Sequence, residues 1–229
     1  GNLYKVNNQT IVTTAKDMKI RDVVALMSFN EVSVEPYSYR KQINSIYGAV
    51  NLGWKHMLYF DATLRGDQSS TLPISNNMYI YPSFSGSFVF SELLKLGDKL
   101  PYGKVRMSWA QVGSDTDPYQ LGLVYTKSKF AYPGYTIGYI SNGTIPNKDL
   151  KPTKTNSFEM GLELKFLKNR IGLDFTYYSQ LSKNQIMGMA SSSTSGYGYR
   201  LINAGEIENK GVEIALNTRP IQTKDFSWD

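Results

Sequence analysis

Residues 44–67 read NSIYGAVNLGWKHMLYFDATLRGD, and the pattern in this stretch decides the fold. Side chains alternate across a β-strand, so residues two apart share a face. Ile46, Val50, Leu52 and Trp54 fall on one face with Gly48 among them, against Ser45, Tyr47, Ala49, Asn51 and Gly53 on the other. Past Lys55-His56, Leu58, Phe60, Ala62 and Leu64 share a face, and Tyr59, Asp61, Thr63, Arg65 and Asp67 share the opposite one. The stretch predicts an antiparallel hairpin, turning tightly at Lys55-His56, with one dry and one wet face. The dry face is continuous enough to pack on a core or to face lipid.

The same alternation recurs downstream. In PSFSGSFVF (82–90), Phe84, Phe88 and Phe90 oppose Ser83, Ser85 and Ser87. Val105, Met107 and Trp109 oppose Lys104, Arg106 and Ser108. A second hairpin carries Phe158, Met160, Leu162, Leu164 and Phe166, a turn at Lys168-Asn169, then Ile171, Leu173, Phe175 and Tyr177. Its other face carries Glu159, Glu163, Lys165, Asp174, Thr176 and Tyr178. Val212, Ile214 and Leu216 form a last strand ended by Arg219-Pro220, and Phe226 to Trp228 looks like the start of another. Residues 1–22 are polar without long periodicity and read as a loop or chain entry. Residues 23–39 have strand-like composition, with Pro36 arguing against a central position. Residues 67–80 read as an exposed loop, and 91–102 as a medium turn with room for one helical turn.

The connections decide between core and lipid. Short turns alternate with long segments such as 113–155 and 183–209. In an up-and-down sheet every second connection emerges on the same side, so the long ones gather at one end. Short turns at one end and long loops at the other is the layout of an outer-membrane barrel, and strands of about 9–11 residues suffice to cross a tilted path. The expected fold class is all-β: an antiparallel transmembrane β-barrel segment of about seven or eight strands, with short periplasmic turns and long extracellular loops. Trp54 and Trp109, read as lying near strand ends, fit interfacial girdles. Arginine at Leu58 or Leu162 would then cost roughly 2–4 kcal/mol near the bilayer midplane.

Bulk properties agree. No run reaches the 18 apolar residues of a transmembrane helix, and a mean hydropathy of −0.34 suits alternating strands. The chain has 17 Tyr and no Cys, which removes disulfides and thiolate chemistry. Its net charge of +6 is spread along the whole length, which argues against a nucleic-acid partner. His56, the one histidine, sits in a turn without metal-ligand companions or a nucleophile partner, and no motif asks for a cofactor or metal. Glu159 and Glu163 lie two pleats apart on one strand, about 13 Å, too far for a retaining glycosidase pair. No enzyme is expected.

Two groups of residues are candidates for function. Tyr79, Tyr81, Tyr132, Tyr135, Tyr139, Tyr197 and Tyr199 fall in stretches that gather on one rim, where flat aromatic faces could meet substrate or a lid, or pack the loops together. Asp61, Arg65, Asp67, Arg106, Glu159, Glu163 and Asp174 would line the lumen or face a plug, and an ion network fits them better than a reaction site.

YGAVNLGWKHMLYFDATLRGDQSSTLP, YIYPSFSGSFVF and YGKVRMSWAQVGSDTDPY, in that order, resemble the barrel of SusC/RagA-type TonB-dependent outer-membrane transporters of Bacteroidota. LKPTKTNSFEMGLELKFLKNRIGLDFTYY and INAGEIENKGVEIAL are similar to the C-terminal half of such barrels, and GNLYKVNN resembles one of their extracellular-loop segments. The resemblance implies a barrel of about 22 strands with an N-terminal plug and a TonB box, neither recognisable in residues 1–229. It further implies import of oligosaccharides or peptides with a SusD-like surface lipoprotein, energised by TonB, in the outer membrane of a Gram-negative bacterium. Two other classes use the same residues: a secreted all-β carbohydrate-binding module, and a passive porin or adhesin-type barrel.

Overall fold

A computed structural model describes the chain apart from residues 96, 128–134, 136, 141–142, 225 and 229. Eight long strands form one sheet: β1 (Asn2–Met18), β2 (Phe29–Trp54), β3 (Leu58–Ser69), β4 (Met78–Val89), β5 (Tyr102–Ser114), β6 (Thr153–Phe166), β7 (Ile171–Lys183) and β8 (Glu206–Thr218). Each pairs antiparallel with the next in sequence, without a crossover. The sheet is one all-β antiparallel wall.

The register carries the dry face across seven strands. Trp54 stands opposite Leu58, Leu58 opposite Phe88, Phe88 opposite Val105, Val105 opposite Leu162, Leu162 opposite Phe175, and Phe175 opposite Ile214. Most of these residues are exposed, and among the described residues no second sheet or helix layer covers them. Such a face in water would bind anything apolar it met.

The apolar band crosses the register obliquely. On the outward face of β2 the last apolar residue before a polar stretch is Ile46, on β5 it is Trp109 and on β8 it is Val212. The pairing that starts at Val212 runs through Tyr177, Met160, Met107, Gly86 and Phe60 to Leu52, six residues along β2 from Ile46. Six residues rise about 20 Å, and six strand spacings cover about 29 Å. The band edge is therefore inclined by about 35° to the hydrogen-bonded rows. A bilayer surface is flat, so the strands lean by about that angle from its normal, as in outer-membrane barrels. Along β2 the band runs from Ile46 to Trp54, about 27 Å of strand and about 22 Å of height, close to the apolar belt of such barrels.

Tight turns close one end of the sheet. Lys55 and His56 both take positive φ, 49° and 55°, and Leu167, Lys168 and Asn169 do the same at 167–170. The third connection there, 90–101, holds the expected helical turn at Phe90–Leu94 and a second at Gly97–Lys99. Connections 19–28, 70–77, 115–152 and 184–205 emerge at the opposite end.

Four expectations change. Residues 1–22 are not a loop: β1 runs to Met18 and pairs with β2 along its length. Above Gln42, β2 has no strand partner on its other side, so this hairpin projects beyond β3 and, past the contacts of Lys41 and Tyr39 with residues 115–117, needs no alternation. Pro36 lies in that projecting part, where only β1 pairs with it. Residues 67–69 and 78–80 are strand instead of loop, which shrinks the connection to 70–77, shorter than 90–101 at the tight-turn end. The strands run from 12 to 26 residues, longer than a crossing needs. Trp109 sits mid-strand, yet at the upper edge of the apolar band, because β5 continues past the membrane; Trp54 closes the lower edge.

Candidate functional site

The polar face holds three connected groups of side chains. In the first, Arg106 of β5 stands opposite Gly161 of β6, which stands opposite Thr176 of β7. The guanidinium lies across Gly161 and grips Asp174 at 3.0 and 2.9 Å and Thr176 Oγ1 at 2.6 Å. A Cβ on Gly161 would collide with Arg106 Nε, so glycine is what lets the fork cross a strand. Of the two nearby acids, Glu163 approaches Lys165 at 3.6 Å, and Glu159 is exposed opposite Ser108 and Tyr178.

The second group is nearer the long connections. Arg65 Nε donates to Asp67 at 2.9 Å and its NH2 group to Ser45 at 3.1 Å, and the Tyr81 hydroxyl donates to the other Asp67 oxygen. Asp67 is buried. Tyr79 stacks on Tyr81 with ring centroids 6.0 Å apart and lies over Gly113, whose missing side chain leaves its place to the ring. One pleat group away, Asp61 accepts from Asn51 and Ser85, neutral partners only.

The third group fastens the longest connection to the wall. Asp115 pairs with Lys41 of β2 at 2.6 Å, and its other oxygen accepts from Ser69 and from Thr71 at 3.2 Å. Both partners of the ion pair are nearly enclosed, with side chains 15% and 9% exposed. Asp117 accepts from the Tyr39 hydroxyl at 3.4 Å.

Above these groups the connections are tied to one another. The Asn203 amide accepts from the Lys151 backbone N–H at 2.8 Å and donates to Lys151 O at 2.8 Å and Asn184 O at 3.1 Å, copying a strand's hydrogen bonds with a side chain. Asn76 Nδ2 reaches Leu150 O at 3.2 Å. Strand Tyr199–Asn203 pairs with Ile186–Ala190 and with Thr144–Ile145. Beneath them Leu72, Tyr79, Leu150 and Leu201 form the buried core, flanked by Tyr81, Leu121 and Ile186. The core thus sits at the mouth, where connections 70–77, 115–152 and 184–205 meet on the polar side of the sheet.

Asp61, Arg65, Asp67, Arg106, Glu159, Glu163 and Asp174 all share this polar face, and Arg65 meets Asp67 and Arg106 meets Asp174. Among the tyrosines, Tyr79 is buried and Tyr81 half-buried in the wall, while Tyr135, Tyr139 and Tyr199 are exposed on the connections and Tyr197 is partly covered. Tyr132 lies outside the described residues. Sequence reasoning missed Lys41, Ser69, Thr71, Asp115 and Asn203, whose partners include residues 44 to 75 positions away. Among the described residues no three acidic or histidine side chains are grouped to hold a metal ion, and no helix is long and apolar enough to cross a membrane, which says nothing of strands.

Residues 7–229 match the family model described as "TonB dependent receptor-like, beta-barrel". The chain belongs to that family. It is 29% identical over 201 residues to the TonB-dependent receptor SusC of Bacteroides thetaiotaomicron, covering 84% of this chain and 20% of that protein. It is 27% identical over 235 residues to the TonB-dependent receptor P3 of Formosa agariphila, covering 98% of this chain and 23% of that protein. The chain thus spans about a fifth of these curated relatives. Among solved structures, the RagAB peptide transporter matches 97% of this chain and 25% of that chain with a TM-score of 0.84 at 21% identity. The siderophore receptor PirA of Pseudomonas aeruginosa matches 83% and 33% with a TM-score of 0.54 at 19% identity. The sheet is therefore part of the barrel wall of a SusC/RagA-like TonB-dependent receptor, in the outer membrane of a Gram-negative bacterium.

Proposed function

We propose that the receptor containing this wall imports oligosaccharides or peptides across the outer membrane, energised by TonB and receiving cargo from a SusD-like surface lipoprotein. The observation that carries this reading is the division of labour between the faces and ends of one sheet. The outward band is apolar and inclined like a bilayer-spanning wall, and the inward face is studded with ion pairs. The long connections at one end are tied to one another through Asn203 and Asn76 and to the wall through Asp115. The RagAB structures are of a peptide transporter, and one is of the importer in an open-open state; that likeness, beside the SusC relative, supports an importer here.

In this reading Asp61, Arg65, Asp67, Arg106, Glu159, Glu163 and Asp174 face the plug, and exposed Tyr135, Tyr139 and Tyr199 meet cargo or lid. The test is growth and uptake on defined oligosaccharides and peptides by cells with and without the receptor gene, repeated with TonB depleted. Uptake that needs both supports active import. Uptake that survives TonB depletion refutes it. Co-purification of a surface lipoprotein with the tagged receptor tests the partner separately.

A further inference from the structure

We propose that the free edge of β2 above the wall, residues 32–40, captures an extended peptide bearing a carboxylate by adding it to the sheet as a further strand. The inference rests on the import reading above and names its class of cargo. The pairing of β1 with β2 runs without a slip from Asn2–Ser45 to Lys16–Glu31. In an antiparallel pair, successive residues of a strand point their N–H and C=O groups alternately to one side and to the other. Gln42 fixes the phase: its C=O accepts from the Ser70 N–H at 2.9 Å and its N–H donates to Ser70 Oγ at 3.0 Å, both on the β3 side. Arg40, Ser38, Pro36, Val34 and Val32 share that phase and are exposed. β3 ends at Ser69, and among the described residues no strand or backbone group meets these five on that side.

Pro36 obeys the same phase. The N–H it lacks would point to the open side, so no bond to β1 is lost; one position along the strand the same ring would break the ladder. An exposed edge of this length is a template for any passing strand. Pro36 divides it into two short segments, which limits how firmly another sheet edge can lock on and leaves room for a loosely held, exchangeable strand.

Position and charge select the occupant. On the same stretch Lys41 holds Asp115 at 2.6 Å and Tyr39 reaches Asp117 at 3.4 Å, so the edge stands beside the longest connection, over the mouth. A strand added there lies in line with β3. Arg40 is the one charged side chain among the five edge residues, and among the described residues it has no acidic partner. It lines a hollow with Gln42 and Ser70 at the lower end of the edge. Main-chain pairing is indifferent to sequence, and a guanidinium at one end takes a terminal or side-chain carboxylate. A sugar chain presents no alternating row of N–H and C=O groups, so the complementary cargo is a peptide.

The experiment is fluorescence anisotropy of the full-length receptor in maltoside micelles with a labelled nonapeptide, four threonine–serine repeats ending in glutamate. The wild type should bind one equivalent saturably. Two further peptides carry backbone N-methyl groups, one on its threonines and the other on its serines. Only every second residue of an added strand bonds to the edge, so one of the two should bind like the parent and the other about tenfold more weakly. Ser38→Pro, which removes an N–H from the open side alone, and Arg40→Gln should each weaken binding several-fold. Heat-modifiable migration confirms folding, and Arg40→Gln carries the test if Ser38→Pro does not assemble. Equal binding of the two methylated peptides overturns the site, as does equal binding of the parent by wild type and Arg40→Gln. Loss of a co-purifying surface lipoprotein from Ser38→Pro with peptide binding unchanged also overturns it, since the edge would then belong to the lid. Uptake by cells is scored separately: TonB-dependent uptake of oligosaccharides alone leaves import standing and overturns the peptide edge.

Discussion

Arg106 reaches Asp174 across the bare backbone of Gly161, joining β5 to β7 over the strand between them. The two bonds of 3.0 and 2.9 Å, with Thr176 as a third acceptor, make a fork geometry that a lysine cannot copy. Replacing Gly161 by leucine would drive the guanidinium off its partners. Because both side chains are about one-third exposed, the loss is modest, about 1 kcal/mol. Urea unfolding of the receptor in micelles should show Gly161→Leu and Arg106→Lys lowered by similar amounts. Additivity of the two in the double variant would sink the idea that glycine serves the arginine.

Asp115 is held more tightly. Its carboxylate takes Lys41, Ser69 and Thr71 in a nearly closed site, so Asp115→Ala leaves a cation and two hydroxyls without their acceptor. Removing one partner of such a pair costs about 2–3 kcal/mol, since the remaining charge stays desolvated. The cost should appear locally: hydrogen exchange in 70–77 and 115–120 should quicken by more than tenfold, while β6 and β7 keep their protection. Unchanged exchange in 115–120 would show that the connection is held elsewhere.

These two knots also show what the sequence can and cannot disclose. Leu58, Phe60 and Leu64 against Asp61, Arg65 and Asp67 are legible because a wall between lipid and water imposes a period of two on every crossing strand. Asn2–Met18 carries no such imprint because most of its hairpin projects beyond β3, where no wall between lipid and water imposes the period. Asp67 and Arg65 are neighbours on one strand face and could be paired on paper. Lys41 and Asp115 could not, because their meeting depends on where a connection of nearly forty residues folds back, which no local periodicity encodes. Tyr79 and Tyr81 show the same limit: aromatic content pointed to the mouth, but only Gly113 explains why Tyr79 is buried in the wall instead of open to cargo.

Asn203 gives a third prediction. Its single amide serves Lys151 on both sides and Asn184 besides, so Asn203→Ala removes two bonds between the two longest connections and one within 184–205. Limited proteolysis should then cut within 115–152 and 184–205 at least several-fold faster. The barrel itself should still assemble and show heat-modifiable migration, because the ladder from β5 to β8 does not pass through Asn203. Aspartate at this position should rescue little, since it loses the donor that Lys151 O and Asn184 O require.

The tilt of the apolar band makes the sharpest test. Leu58 and Leu162 lie on one hydrogen-bonded row, linked through Phe88 and Val105, and a wall with upright strands would place them at equal depth. With strands inclined by about 35° they differ. Leu58 starts β3 beside Trp54 at the lower edge of the band, whereas Leu162 is the middle of Phe158, Met160, Leu162, Leu164 and Phe166 on β6. Leu64, three pleats above Leu58, is the last apolar outward residue of β3 and lies at the upper edge of the band. Arginine costs roughly 2–4 kcal/mol at the bilayer midplane and about 0–1 near an interface. Leu162→Arg should therefore lower folding stability in bilayers by the larger amount, and Leu58→Arg and Leu64→Arg by the smaller. Equal losses at Leu58 and Leu162 would mean upright strands, and negligible loss at Leu162 would mean that the band does not face lipid at all.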